Sequence, residues 1–476
     1  MATGLDYALT TPPTAIGKSK VGQPSKGPKK VGVKVKAAIF FDGTGNNQSN
    51  ITKRLKDSSY MKPSWYQSDS SYASYEQFYS NVALLFFMHK KMVPGERIAS
   101  VYMEGIGTSN DGPDDTPGGG FGGGPTGVVA RVNIGITRLA NKVSKLYGRS
   151  NPNEYLEELT VYAFGFSRGA AAARHFCARR VDPRGKKNSV SKELGIDPNI
   201  IKLKFVGLYD TVSSFDPTGE KTPADPTDTS YVAKAARHLS WREGDKQFRN
   251  DVAELHLTLD DPTLGKVVHL VAADEYRLNF SSTTIASAMS RGTGYEVLLP
   301  GAHSDIGGGY TQMSPEDREY GWDFPLKVAD FFKERGWYTP EQLTKSFRYV
   351  SEHHTATILT GRRQVPNYYQ FITLSIMLKL AAKANSGMQF GSPNQDEERN
   401  IKYVINSNSP LAGIKAKLEG FALSHFGASS TQTATLPPNE YKMLRNKYLH
   451  LSWSDRLGFE FRTDASGMPF RLVIPG

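Results

Sequence analysis

The chain has 476 residues, 38% of them hydrophobic and 22% charged, a globular balance that excludes collagen, coiled coil and wholesale disorder. Its formal charge of +11 is concentrated at one end, because the first 36 residues carry seven lysines against one aspartate. The body is only mildly basic, which argues against a nucleic-acid partner and is compatible with an anionic membrane surface. One cysteine, Cys177, leaves no intramolecular disulfide to form, so folding needs no oxidising compartment. Residues 1–20 lack the apolar core of an export signal and no apolar run is long enough to span a bilayer. The chain is therefore expected to be made in the cytoplasm without a signal peptide.

Residues 1–35, rich in Lys, Pro, Gly, Ser and Thr, predict a flexible basic arm with an open docking role. The pattern changes at Lys36, where residues 37–41 form an apolar strand that runs into the tight loop Asp42-Gly43-Thr44-Gly45-Asn46-Asn47. Helical spacing follows over 80–91, then a strand over 99–103 and the loop Gly105-Ile106-Gly107-Thr108. The glycine-rich segment 118–127 precedes an amphipathic helix over 128–147. It contains no Gly-Lys-Ser/Thr and so is no phosphate loop, which leaves a flexible connection or a mobile lid.

Strands are expected over 159–166, 202–209, 267–272 and 295–299, with an alanine-rich helix over 168–180. Alternating strands and helices predict an α/β fold, a mostly parallel sheet with helices on both faces, whose chemistry sits at the C-terminal strand ends. This core is assigned to 36–320. Residues 321–476 are expected to form a largely helical C-terminal elaboration, with helices over 324–335, 340–347 and 367–384 and a hairpin around Met468. The apolar face of 367–384 reads as a core helix or as a lipid-facing one.

Gly165-Phe166-Ser167-Arg168-Gly169 matches G-x-S-x-G, a weak pattern by itself. Here it lies between a strand and the start of a helix, the sharp turn that exposes a nucleophilic serine in an α/β-hydrolase; the alternative for Ser167 is a plain helix N-cap. A serine hydroxyl needs a base and an orienting carboxylate, and in this fold these follow it in the order acid, then histidine. Asp210, ending the strand in Leu208-Tyr209-Asp210-Thr211-Val212, is the expected acid, against an Asx-turn. His303 is the expected base. It stands in a loop of small residues after a strand, Gly301-Ala302-His303-Ser304-Asp305, whereas His269 and His175 read as packing positions and His353 and His354 as exposed ones.

Asp305 is either a rival acid or a support for the base. The loop Asp42-Gly43-Thr44 resembles a phosphatase motif but has Phe40 where the nucleophile would stand. Its expected role is an oxyanion loop, with the backbone N–H of Gly43 or Thr44 joining that of Arg168 and Asp42 as a supporting carboxylate, or else a mere strand-ending turn. No cluster has metal-ligand spacing, so neither a metal nor a cofactor is implied.

Taken together, Phe40-Phe41-Asp42-Gly43-Thr44-Gly45-Asn46-Asn47, the Gly105 loop, the Ser167 elbow, the Asp210 strand end and His303-Ser304-Asp305-Ile306-Gly307-Gly308-Gly309-Tyr310 resemble the bacterial type VI secretion lipase effectors of the first subgroup. The likeness runs over about 36–310 and more weakly through Leu374 and Tyr448-Leu449-His450. It departs at Glu104, where relatives often have an aspartate. The resemblance implies an antibacterial phospholipase with Ser167, Asp210 and His303 at the triad positions, acting through an acyl-enzyme on membrane phospholipids. It also implies delivery by a secretion spike protein to the periplasm or membrane of a target cell, and neutralisation by an immunity protein. The alternative from the residues themselves is a serine esterase for soluble or short-chain esters.

Overall fold

The computed structural model describes residues 30–57, 72–115, 119, 122–148, 151–181, 188–216, 249–250, 255–321, 326–351, 354–391, 405, 407–454, 460–464 and 466–476. Strand β1 (Val31–Phe41) buries Val35, Ala37, Ile39 and Phe41 in one hydrophobic cluster and Ala38 and Phe40 in another. Burial on both faces is what a parallel sheet covered by helices requires, and it explains why these strands read as continuous apolar runs. β1 takes in residues 31–35, which sequence composition had assigned to the basic arm. Their one lysine, Lys34, is exposed, and β2 does not pair with the strand before Val35, so this stretch has an open side that tolerates the charge. The rest of the expected arm, 1–29, lies outside the described residues.

Helix α1 (Gln48–Lys56) is capped by Asn47, whose side chain accepts from the N–H groups of Ser49 and Asn50. Helix α2 (Asn81–Met88) is capped by Ser80. Strand β2 (Arg97–Met103), helix α3 (Val128–Ser144), strand β3 (Glu154–Phe166), helix α4 (Arg168–Arg179) and strand β4 (Ile201–Tyr209) then alternate. Strands β5 (Lys266–Ala272) and β6 (Gly294–Leu299) precede the short helix α5 (His303–Gly307).

Beyond it come β7 (Met313–Tyr320), α6 (Leu326–Glu334), β8 (Leu343–Ser351), β9 (His354–Pro366), α7 (Gln370–Lys383), α8 (Ala412–Ser424), β10 (Gln432–Thr433) and α9 (Pro438–Lys447). Among the described residues the central sheet has the order β10-β6-β5-β4-β3-β1-β2, and every adjacent pair is parallel. Helices α3 and α4 cover one face; α2, α7 and α8 cover the other. The order reverses beside β1, so the C-terminal ends of β1 and β3 flank the crevice where such sheets place their sites.

The C-terminal residues contain two of the three expected helices, and in place of a largely helical elaboration they also form a three-stranded antiparallel sheet in the order β7-β9-β8. Residues 340–347, expected to be helical, form a 3-10 turn and the start of β8. Pairing with β9 along almost the whole strand outweighs the local helical preference. The expected hairpin around Met468 is present: Thr463 bridges Pro469, and the Asp464 N–H donates to the Met468 carbonyl at 2.9 Å.

Helix α7 is a core helix. Phe371, Ile372, Leu374, Ile376, Met377 and Leu380 are buried, while Ser375 and Lys379 reach Glu419 of α8. Among the described residues no helix is long and apolar enough to cross a membrane. Ile372→Ala is expected to lower the unfolding free energy by about 2–5 kcal/mol in a urea titration, through lost burial and the cavity left behind. A lipid-facing helix would show almost no change.

Candidate active site

The turn after β3 holds Ser167 at φ 59° and ψ −129°, a backbone conformation that side chains rarely adopt. Its N–H donates to the Tyr209 carbonyl at 3.0 Å, and its carbonyl accepts from Ala170 at 3.0 Å, so the elbow is tied to the end of β4 and to the first turn of α4. The two motif glycines make this bend possible. A Cβ on Gly165 would press into the Gly169 carbonyl, and one on Gly169 into the carbonyls of Phe41 and Asp42. Ser167 therefore stands at the N-terminus of a twelve-residue helix, where backbone donors and the positive dipole end favour a developing negative charge.

Asp210 follows β4, also at positive φ (42°), and is completely buried. His303 follows β6. Its Nδ1 donates to Asp210 Oδ2 at 2.5 Å, and its ring lies 4.6 Å from that of Phe166, the residue before Ser167, and 5.0 Å from Phe280. With Nδ1 donating to a carboxylate, neutral His303 carries its lone pair on Nε2, the tautomer a general base needs. Nε2 is buried and has no hydrogen-bond partner among the described residues. Burial lowers the His303 pKa, while Asp210 pulls it upward. For Asp210 burial acts upward, but the Arg471 guanidinium and His303 outweigh it and hold the carboxyl well below the usual range.

Arg471 gave no signal in the sequence, standing 261 positions from Asp210 in a segment without a motif. Its fork donates Nη1 to Oδ1 at 2.8 Å and Nη2 to Oδ2 at 2.9 Å, and the Ala272 N–H adds another donor to Oδ1 at 2.9 Å. Three more buried carboxylates fix the histidine loop. The N–H of Gly301 donates to Asp274 at 2.9 Å, that of Ala302 to Asp305 at 2.9 Å and that of His303 to Glu275 at 3.2 Å. Asp274 and Glu275 stand just after β5, and that position at a strand end was the available sequence signal.

Asp305 does not touch His303. It pairs through Oδ1 with His450 Nδ1 at 2.7 Å and accepts the His450 N–H at 2.9 Å, so it is a loop support and not a rival acid. The His450 ring stacks on Tyr310 at 3.7 Å. His269 is a packing position, as expected. Its Nδ1 donates to Glu296 at 2.8 Å, and its Nε2 accepts the N–H of Thr211, next to Asp210, at 2.9 Å.

In the loop after β1, the Gly43 N–H donates to the carboxylate of Asp42 at 2.8 Å. It is therefore already engaged, and of that loop's two expected oxyanion donors Thr44 remains. The side chain of Arg168 ties this loop to the elbow, with Nε donating to Thr44 Oγ1 at 2.7 Å and Nη2 to the Gly119 carbonyl. The described part of the glycine-rich segment thus borders the site; residues 118, 120 and 121 lie outside the described ones. Asp42 also accepts from Ser80 and Tyr102, and it supports the loop at a distance from His303. Glu104 is paired with Arg131 and Arg138, which keeps its charge satisfied beside β2.

Residues 178–327 match the family described as T6SS phospholipase effector, Tle1-like, catalytic domain. That segment contains Asp210 and His303 but begins after Ser167. Among solved structures, a Tle1 effector bound to the VgrG spike of a type 6 secretion system matches over 98% of this chain and 98% of its own, with 22% identity and a TM-score of 0.57. An uncharacterized protein from Pseudomonas aeruginosa matches over 87% of this chain and 53% of its own, with 16% identity and a TM-score of 0.42. No curated protein matches. The first of these likenesses bears out the α/β-hydrolase-like fold expected from the sequence.

Burial pushes Asp42 up to about 6, against the hydrogen bonds from Ser80, Tyr102 and Gly43. The stability contributed by its neutral form is complete below about pH 4 and is lost as pH rises through about 6. Asp42→Asn is expected to remove about 2–3 kcal/mol of the fall in unfolding free energy between those conditions and neutrality, read by denaturant titration; an unchanged fall would clear Asp42. His450→Ala leaves Asp305 buried without its ring partner and is expected to cost about 3–5 kcal/mol. A loss below about 1 kcal/mol in a guanidinium titration would show that the pair holds nothing in place.

Proposed function

We propose that the chain is a type VI secretion phospholipase effector that hydrolyses phospholipid esters with Ser167 as nucleophile, His303 as base and Asp210 as its orienting acid. The observation that carries this reading is the 2.5 Å contact between His303 Nδ1 and Asp210, with the His303 ring packed on the residue beside an elbow serine. The Tle1-like family match over 178–327 supports the substrate class.

In the first half-reaction Ser167 Oγ attacks the ester carbonyl carbon while His303 Nε2 takes the hydroxyl proton. The oxyanion faces the N–H groups of Arg168 and Thr44. The bond to the alcohol breaks, and the lysophospholipid leaves with the proton held by His303. Water, deprotonated by the same nitrogen, then releases the fatty acid and restores Ser167. Because burial lowers the His303 pKa, the ring stays in its basic form below the ordinary histidine range.

The likeness to a spike-bound Tle1 effector supports a secretion spike protein as carrier. Delivery to the membrane or periplasm of a target cell and an immunity protein in the producer complete the proposal. Mass spectrometry of liposomes treated with the protein is expected to show fatty acid and lysophospholipid, and Ser167→Ala to lower their release by at least about 10³-fold with folding retained. Equal release by the variant would sink the serine mechanism. Release confined to short-chain esters, with no response to a lipid surface, would favour the soluble esterase.

A further inference from the structure

We infer that Arg471 is a positioning residue of this site, gripping both oxygens of Asp210 so that the Asp210–His303 pair holds its shared proton less tightly than an isolated pair would. The inference rests on the Ser167, His303 and Asp210 reading and extends it to a residue far down the chain. Arg471 leads into a segment laid beside Ser282–Thr283. The Ser282 N–H donates to the Leu472 carbonyl at 2.9 Å, and Val473–Ile474 pairs with Ser282–Thr283 in parallel.

The guanidinium is locked on every side that the structure describes. Nε donates to the Phe280 carbonyl at 2.9 Å and Nη1 to the Ala272 carbonyl at 2.9 Å, in addition to the two bonds to Asp210. Ala272 ends β5, and Phe280 packs its ring edge-on to His303. Arg471 therefore sets the plane of the carboxylate against a frame that also contains the base. A planar fork does this; a lysine ammonium, being a point charge, does not.

The charge has its own effect. The other ionised groups facing the pair are Glu275 and Arg277, which are bonded to each other at 2.9 Å, so they oppose one another near His303. Arg471 is the guanidinium in direct contact with Asp210, its ion-pair partner, and it also acts at longer range on Glu275. A positive charge there disfavours a proton on either member of the pair, whichever atom carries it. The carboxylate stays ionised and draws a proton onto the imidazole less strongly than it would without Arg471, so the base waits in its neutral form. For Asp210 this agrees with a carboxyl held well below its usual range chiefly by Arg471, whereas His303 is lowered first by its burial.

The test compares full-length wild type, R471Q and R471K. The His303 ring is followed by NMR titration, its signals identified by their loss in H303Q, and kcat/KM is measured against pH on a soluble short-chain ester. R471Q is expected to raise the titration midpoint and the acid limb by about one pH unit and to lower the plateau of kcat/KM at least about 30-fold. R471K is expected to keep the midpoint within about 0.3 unit while losing about 10-fold in turnover, since it keeps the charge and gives up the fork. A midpoint unmoved in R471Q with turnover within about threefold of wild type overturns the inference and leaves Arg471 as a structural tie. Should R471Q fail to fold, full turnover in R471K overturns it equally. If hydrolysis survives Ser167→Ala the serine mechanism fails instead, and the ring titration, which needs no turnover, still decides what Arg471 does to the pair.

Discussion

A carboxylate that remains ionised in a dry interior must be surrounded by donors, and the arrangement of this site follows from meeting that demand at Asp210. Its two oxygens take hydrogen bonds from the Ala272 N–H, from His303 Nδ1 and from both Nη atoms of Arg471. Those groups come from the end of β5, the loop after β6 and a segment close to residue 476. Each donor belongs to an element that has to arrive before the charge is stable. The His–Asp contact is thus a product of the assembled fold, and no stretch of local structure produces it.

The same solution recurs around the histidine loop. Three successive backbone N–H groups, at Gly301, Ala302 and His303, each donate to a different buried carboxylate, and each carboxylate has its own partner: Arg445 for Asp274, Arg277 for Glu275 and His450 for Asp305. Burying so many charges is costly, and apolar packing would stabilise the loop as well. What the charges supply is orientation, because hydrogen bonds specify direction and apolar contacts do not. The loop thus holds the His303 ring at one angle, as the proposed role of a base requires.

Backbone strain falls where the chemistry is proposed. Ser167 and Asp210 both adopt positive φ without being glycine. Such conformations cost on the order of 1–3 kcal/mol each and persist only where the surroundings over-determine them. Here β3 and β4 run side by side up to Phe166 and Tyr209, and the bond from the Ser167 N–H to Tyr209 joins the two bends directly. The Arg168 side chain adds a third loop by bonding Thr44, so the elbow, the Asp210 bend and the loop after β1 are tied to one another.

By itself the sequence determined the alternation of strands and helices, because continuous apolar runs and 3.6-residue spacing report burial locally. It also determined the strand-to-helix elbow at Ser167 and the strand-end placement of Asp210 and His303, since short-range residue types carry those features. Its local signals failed where pairing was decided at a distance. Residues 343–347 became a strand because β9 lay alongside, and residues 31–35 joined the sheet because β3 lay beside them. Only the tertiary structure assigned Asp305 to His450 and not to His303, and brought Arg471 onto Asp210. Ion pairs and hydrogen bonds depend on separations of about 3 Å. Residues hundreds of positions apart acquire such separations only when the whole chain has packed.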